Sequence, residues 1–247
     1  MLLPGKPSDQ VDDVLSTGNG DITTVFVSMA RRHPDGTDAG YLRWHTLDHR
    51  PEQHRLSAVR ASLRLVSTPA CRAARAVRNE RFDPVDHVMT YFFSDTAGLD
   101  GFLTLSSALG NAGRKLPLLP PVERGVYEVE SRAAAPRIKA GADVLPWWPA
   151  RGVYLLLETR ASPAAELVEI QGVAGIWSTT ALDVSPKLAN ARAGQQLTYC
   201  FLDDDPVATA ARLRPVLEKR WNTTDIDPVF AAPFYPVVPH EWGRYVP

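Results

Sequence analysis

Cysteine is scarce in this chain, with 2 among 247 residues. Cys71 and Cys200 lie far apart and outside any paired motif. That excludes a disulfide scaffold, and it points to two reduced thiols in a cytoplasmic protein, with a single long-range bridge as the alternative. Long apolar runs are missing as well. None approaches the roughly 18 residues of a membrane span, and Met1–Asp13 carries prolines and acids where a signal peptide needs an apolar centre. Nor is there an excess of charge of one sign. A formal net charge of −1 gives no pull towards nucleic acid or an anionic membrane, and no nucleic-acid-binding motif is present. What remains is the make-up of a globular protein, 45% apolar and 22% charged, with enough chain for one large core or two small ones. Arginine far outnumbers lysine, a bias that fits a GC-rich bacterial genome.

The pattern along the chain reads as one unit repeated. After a polar arm over residues 1–21, strand-like runs rich in β-branched and aromatic residues fall at Thr23–Ala30, His54–Ser67, His87–Ser94 and Val122–Ala133. Helix signals lie at Gly40–Pro51 and Gly98–Gly113, so the order over 22–133 is βαββαβ. An Arg-rich excursion, Pro69–Asp83, interrupts it, and a linker over 134–151 carries Pro146-Trp-Trp-Pro149. The order then recurs over 152–238, with strands Gly152–Thr159, Val173–Asp183, Gln195–Leu202 and Val229–Val238. The second unit's helices are expected at Ser162–Gln171 and Pro206–Trp221, and 239–247 forms a tail. Thr90-Tyr-Phe-Phe-Ser-Asp95 is echoed by Thr198-Tyr-Cys-Phe-Leu-Asp203, which supports duplication. A βαββαβ unit makes a four-stranded antiparallel sheet with two helices on one face. Its bare face needs cover, so the expected fold class is α+β, two tandem ferredoxin-like units packed sheet to sheet within one chain.

The helix at Gly40–Pro51 concentrates unusual chemistry. Asp38 is placed to cap it and Pro51 to close it. At roughly 100° per residue, Tyr41, Trp44, His45, Asp48 and His49 share an arc of about 140°. An aromatic and titratable inner face suits a pocket wall better than a core. His49 can serve there as a general acid/base, or it can simply orient the helix end. His45 and His49, spaced i, i+4 beside Asp48, could meet a metal, but no third ligand stands at a recognisable spacing, with His54 and His87 only guesses. The His-Glu-x-x-His motif is absent, so no metal is assigned. One axial histidine would suffice for haem, and His87 or His240 are the positions to consider. Arg72, Arg75, Arg78 and Arg81 read as a solvated helix face, with an anion site as the alternative.

The run Tyr41-x-x-Trp44-x-x-x-x-His49-x-Pro51, following a first strand, resembles the EthD-type proteins of the dimeric α+β barrel superfamily. The resemblance covers the first unit; the second matches in architecture alone, and Arg50 stands where relatives often have a small residue. It implies a small hydrophobic or aromatic, polyketide-type ligand held between helices and sheet. It also implies cofactor-independent oxygenation, cyclisation or decarboxylation, with His49 and Tyr41 catalytic and Trp44, His45, Asp48 and Tyr91 binding substrate. A non-catalytic binding barrel and a haem-binding barrel are the alternatives. Because fusion supplies both halves of a barrel, a monomer or weak homodimer is expected.

Overall fold

The structure, a computed structural model, describes residues 21–245. All of the polar arm except Asp21 therefore lies outside the described residues. In chain order the elements are β1 (Thr24–Ala30), α1 (Asp38–Trp44), a π-helical turn (His45–His49), α2 (Arg50–Gln53), β2 (Val59–Val66) and α3 (Pro69–Ala73). They continue with β3 (His87–Phe93), α4 (Gly98–Asn111), β4 (Pro121–Ala134) and β5 (Gly152–Glu158). Two 3₁₀ turns (Ala142–Val144, between β4 and β5, and Ala165–Glu169), β6 (Val173–Ala181), β7 (Gln196–Leu202), α5 (Pro206–Thr223) and β8 (Pro228–Pro236) complete the set.

The eight strands close into one antiparallel barrel, β1-β3-β2-β8-β5-β7-β6-β4. Each half contributes the same order, β4-β1-β3-β2 and β8-β5-β7-β6, which is the ferredoxin-like arrangement. The halves meet at two seams. One is long, β4 with β6; the other is short, with Leu65 opposite Pro236 and Val66 opposite Tyr235. Closure leaves no free edge. Strand side chains alternate between faces, so Val25, Val27, Met29, Phe92, Leu155, Tyr199 and Phe234 fill the barrel. Phe26, Met89, Tyr91 and Phe93 project outward beneath the helices of the first half. The fold class is the expected one, and the helices lie outside the barrel.

Three expectations are corrected. The Thr-Tyr-x-Phe-x-Asp echo is a residue out of register. Val25 lies opposite Phe92 in the first half, and Val153 lies opposite Phe201 in the second. Equivalent positions therefore pair Thr90 with Tyr199, where the echo would pair Thr90 with Thr198. A slip of one residue reverses every side chain: Tyr91 packs outward on Phe102 while Tyr199 packs inward on Phe92. Thr90 and Tyr199 in fact share a hydrogen bond of 3.0 Å inside the barrel. The halves correspond in the order of their elements, and this echo does not mark equivalent positions.

Second, Ser162–Gln171 is no α-helix. Only Ala165–Glu169 forms a 3₁₀ turn, because Gln196 on β7 bonds both the N–H and the C=O of Ser162 and holds the segment's start extended. Third, the Arg-rich run is not a solvated helix face. The helix stops at Ala73, Arg72 pairs with the buried Asp86 at 2.6 Å, and Arg81 pairs with the buried Glu123 at 3.0 Å. Arg75 is buried and donates to the carbonyls of Phe82, Asp83 and Val85. Between the halves, Trp147 Nε1 donates to the Arg60 carbonyl at 3.1 Å, and Trp148 packs on the barrel core.

Arg75 therefore holds its loop together through buried and part-buried carbonyls. Arg75→Ala should cost about 2–4 kcal/mol in urea unfolding, since it orphans several buried acceptors. The exposed Arg78→Ala should change stability by no more than about 0.5 kcal/mol.

Candidate functional site

The helix at 38–53 is built differently from the sequence expectation. Asp38 does not cap it. Its side chain is fully buried, accepting the His33 N–H at 2.8 Å and bonding His87 Nε2 at 2.7 Å. Burial works to raise the Asp38 carboxyl, but those two bonds win and hold it below its ordinary value. Pro51 does not close the helix, which runs on to Gln53. Proline offers no N–H, and the preceding turn has already widened, with the Arg50 N–H reaching back to the His45 carbonyl. A wider turn advances each residue by less than 100°. Asp48 therefore falls away from the inner face, while His45 and His49 stay on it.

A cavity of about 280 Å³ opens beside that turn, at the low end of the roughly 300–1,000 Å³ typical of ligand sites. Tyr41, His45 and His49 form one wall. The floor is the outer face of the first sheet, with Phe26 and Ser28 of β1, Arg64 of β2, Met89 and Tyr91 of β3, and Arg124 of β4. Phe102, Leu103, Ser106 and Ser107 of α4, with Lys115 and Leu118 beyond it, close the far side. Four of the six expected site residues thus line one space: Tyr41, His45, His49 and Tyr91. Trp44 and Asp48 do not line it. Trp44 stacks on His49 with ring centroids 5.0 Å apart and bonds the Arg114 carbonyl. Asp48 pairs with Arg114 at 3.2 Å. Both brace the turn from behind.

Inside the wall, Tyr91 Oη lies 3.5 Å from His45 Nε2, and the His45 and His49 rings are 5.5 Å apart. His49 Nε2 meets Gln53 Nε2 at 3.3 Å, and Gln53 can serve either tautomer of His49 by turning its amide over. Both imidazoles are held neutral. Burial lowers His49 to about 4, with the Lys115 charge adding to it, and it lowers His45 well below its usual value, with Arg64 adding to it. His49 thus lacks the partial charge, about a quarter, that an exposed histidine carries at pH 7. Burial raises both tyrosines, so Tyr41 and Tyr91 remain protonated donors.

Sequence reasoning missed Arg64, Lys115 and Arg124. Arg64 is 6% exposed and sits with its guanidinium 5.2 Å from the centre of the Tyr41 ring. Its signal was present in Leu63-Arg-Leu65: alternation turns Arg64 away from the barrel interior, and in this fold that outer face lies under helices. Among the haem candidates, His87 is fully buried with Nε2 bonded to Asp38, and His240 sits in the tail against Trp242. Among the described residues, no three His, Cys, Asp or Glu side chains converge as a metal cluster. Cys71 and Cys200 are buried free thiols, and among the described residues no helix is long and apolar enough to cross a membrane.

No family model matches the chain, and no curated protein matches it. Solved structures do. A provisionally assigned chlorite dismutase is 12% identical over 92% of this chain and 100% of its own, with a TM-score of 0.51. An anthrone oxidase-like protein is 12% identical over 88% of this chain and 92% of its own, with a TM-score of 0.50. Likeness at that identity concerns the fold alone, a closed antiparallel α+β barrel.

The buried imidazoles carry a pH signature. With His49 at about 4 in the folded chain against 6.5 unfolded, the unfolded chain holds an extra proton between those values. Stability is then fully present above about pH 6.5 and is lost as the pH falls towards 4. His45 and His87, also lowered, act in the same direction. His49→Asn should shrink the stability difference between pH 7 and pH 5 by about 1–2 kcal/mol, read from urea midpoints at the two pH values.

Proposed function

We propose that the chain is an EthD-type α+β barrel enzyme that moves a proton on a small hydrophobic or aromatic molecule, of polyketide type, in the cavity of the first half. The observation that carries this reading is a pair of neutral, buried imidazoles, His45 and His49, on the wall of a cavity whose apolar lining includes Phe26, Met89 and Phe102. A neutral imidazole is a proton acceptor without a charge to pay for on ligand entry. His49 takes a proton from an acidic C–H of the substrate, leaving the electron pair as an enolate. Tyr41 and Tyr91 are the phenol donors for its oxygen. His49 is a weak base while the cavity is empty, and negative charge developing on the substrate raises its affinity for the proton as the transfer proceeds. Oxygenation, cyclisation and decarboxylation of such molecules all pass through an enol or enolate, so the proposed step is common to them.

The low proton affinity of His49 favours one second reading, a barrel that binds the same kind of molecule without turning it over. Anthrone distinguishes them, because its methylene protons exchange with solvent through the enol. Under nitrogen in deuterium oxide, the protein should accelerate exchange at that carbon, followed by proton NMR. His49→Ala should lower the enzymic rate by about 10² or more while leaving the far-ultraviolet circular dichroism unchanged. Equal rates for wild type and His49→Ala, with anthrone still bound, would leave the binding reading standing.

A further inference from the structure

Arg64 is an expensive residue to bury. Other buried arginines here have evident acceptors: Arg220 pairs with Glu158 at 3.0 Å and Glu166 at 2.9 Å, and Arg75 reaches three backbone carbonyls. Arg64 has the neutral Tyr41 hydroxyl beside it, but no carboxylate or carbonyl of that kind among the described residues. Its Nε and Nη2 lack any hydrogen-bond partner, and no carboxylate lies within ion-pair distance of it among the described residues. Asp38, the carboxylate whose field reaches it, is already committed to His33 and His87. A buried guanidinium without a counter-ion costs stability, and here it lines a cavity. The other charged residues lining that cavity are Lys115 and Arg124, so the lining holds three cations and no carboxylate. Lys115 bonds the neutral Ser106 hydroxyl, at 3.0 Å.

The apolar part of the lining points the other way. Phe26, Met89 and Phe102 make the walls, and Leu103 and Leu118, 41% and 48% exposed, stand at the rim. Next to the main space, a side chamber of about 50 Å³ shares Tyr41, Arg64, Leu118 and Arg124 with it. Two arginines therefore border both spaces, with a volume suited to a small head group.

We propose that this cavity takes an apolar carboxylic acid, its carboxylate seated on Arg64 and Arg124 where the two spaces meet and its aromatic or aliphatic body lying between Phe102 and Leu118. This rests on the cavity being the working site, and it names the substrate class. The guanidinium fork fits a planar carboxylate. The ligand's charge supplies the counter-ion that the fold withholds, and it offsets the cations that add to burial in keeping His45 and His49 neutral. An uncharged ligand of the same shape would bind against an unrelieved cation.

Calorimetric titration with 1-naphthoate and with 1-naphthamide, its neutral isostere, tests this. Wild type should bind naphthoate at least tenfold more tightly than naphthamide. Arg64→Gln should bind both at the naphthamide level, and Arg64→Lys should keep part of the preference. The melting temperature of unliganded Arg64→Gln should equal or exceed that of wild type, because the variant removes an unpaired buried charge; a structural arginine would give a clear fall. Equal affinity of wild type for the two compounds would overturn the carboxylate seat and leave the cavity as a binding site. A preference that survives Arg64→Gln would also overturn it. Failure of wild type to bind either compound would overturn both the seat and the reading of the cavity on which it rests.

Discussion

Closure of the barrel is the constraint on which everything else in this molecule depends. Eight strands without a free edge enclose Phe92, Tyr199 and Phe234 on the inside, and alternation then commits every intervening residue to the outer surface. That outer surface needs helices to cover it. In the second half α5 lays Ala210, Leu213 and Leu217 over Tyr154, Leu156 and Cys200. The buried Glu158–Arg220 pair and the Trp221 indole, bonded to Glu158 at 2.8 Å, pin the end of α5. In the first half the cover is shared between α4 and a short helix broken by a π-turn. The seal there is incomplete, and the gap is the cavity.

The asymmetry explains why the titratable residues gather where they do. A sealed outer face can be largely apolar, as where Leu156 packs with Leu213 and Leu217. An open one can hold Arg64, Tyr91 and the two histidines, but the surrounding protein still excludes enough water to hold the imidazoles neutral. A cavity with a cation and no protein counter-charge is poised for a ligand that brings one. Asp38 and His87 sit behind this arrangement, fully buried, and tie the start of the helix to the start of β3. Trp44, Asp48 and Arg114 brace it from the solvent side.

Much of this was legible in the chain. Strand positions and the βαββαβ order followed from β-branched runs and turn residues, and the order forces the barrel once the bare sheet faces need burial. The helix carrying Tyr41, His45 and His49 stood out because its inner arc lacked aliphatic residues. The errors arose where tertiary contacts override local pattern. A one-residue register cannot be read from a short identity, so Thr90 was set against Thr198 when its equivalent is Tyr199. Pro51 looked like a stop because widening of the preceding turn leaves no mark in the sequence. Gln196, distant in the chain, prevents the helix that Ser162-Pro163 announces. Arg64 was overlooked for a related reason: period-two alternation tells which face a residue is on, and only the assembled fold tells whether that face meets water.

The central claim is that the first-half cavity is a receptor for an apolar anion, with Arg64 at its polar end. Anomalous diffraction from crystals grown with 4-bromobenzoate addresses it directly, because the bromine marks one end of the molecule and the electron density the other. The account predicts a bromine peak near Leu103 and Leu118, with the carboxylate within hydrogen-bonding distance of Arg64. A cavity without the compound, and Arg64 turned to a carboxylate of the protein itself, would contradict it.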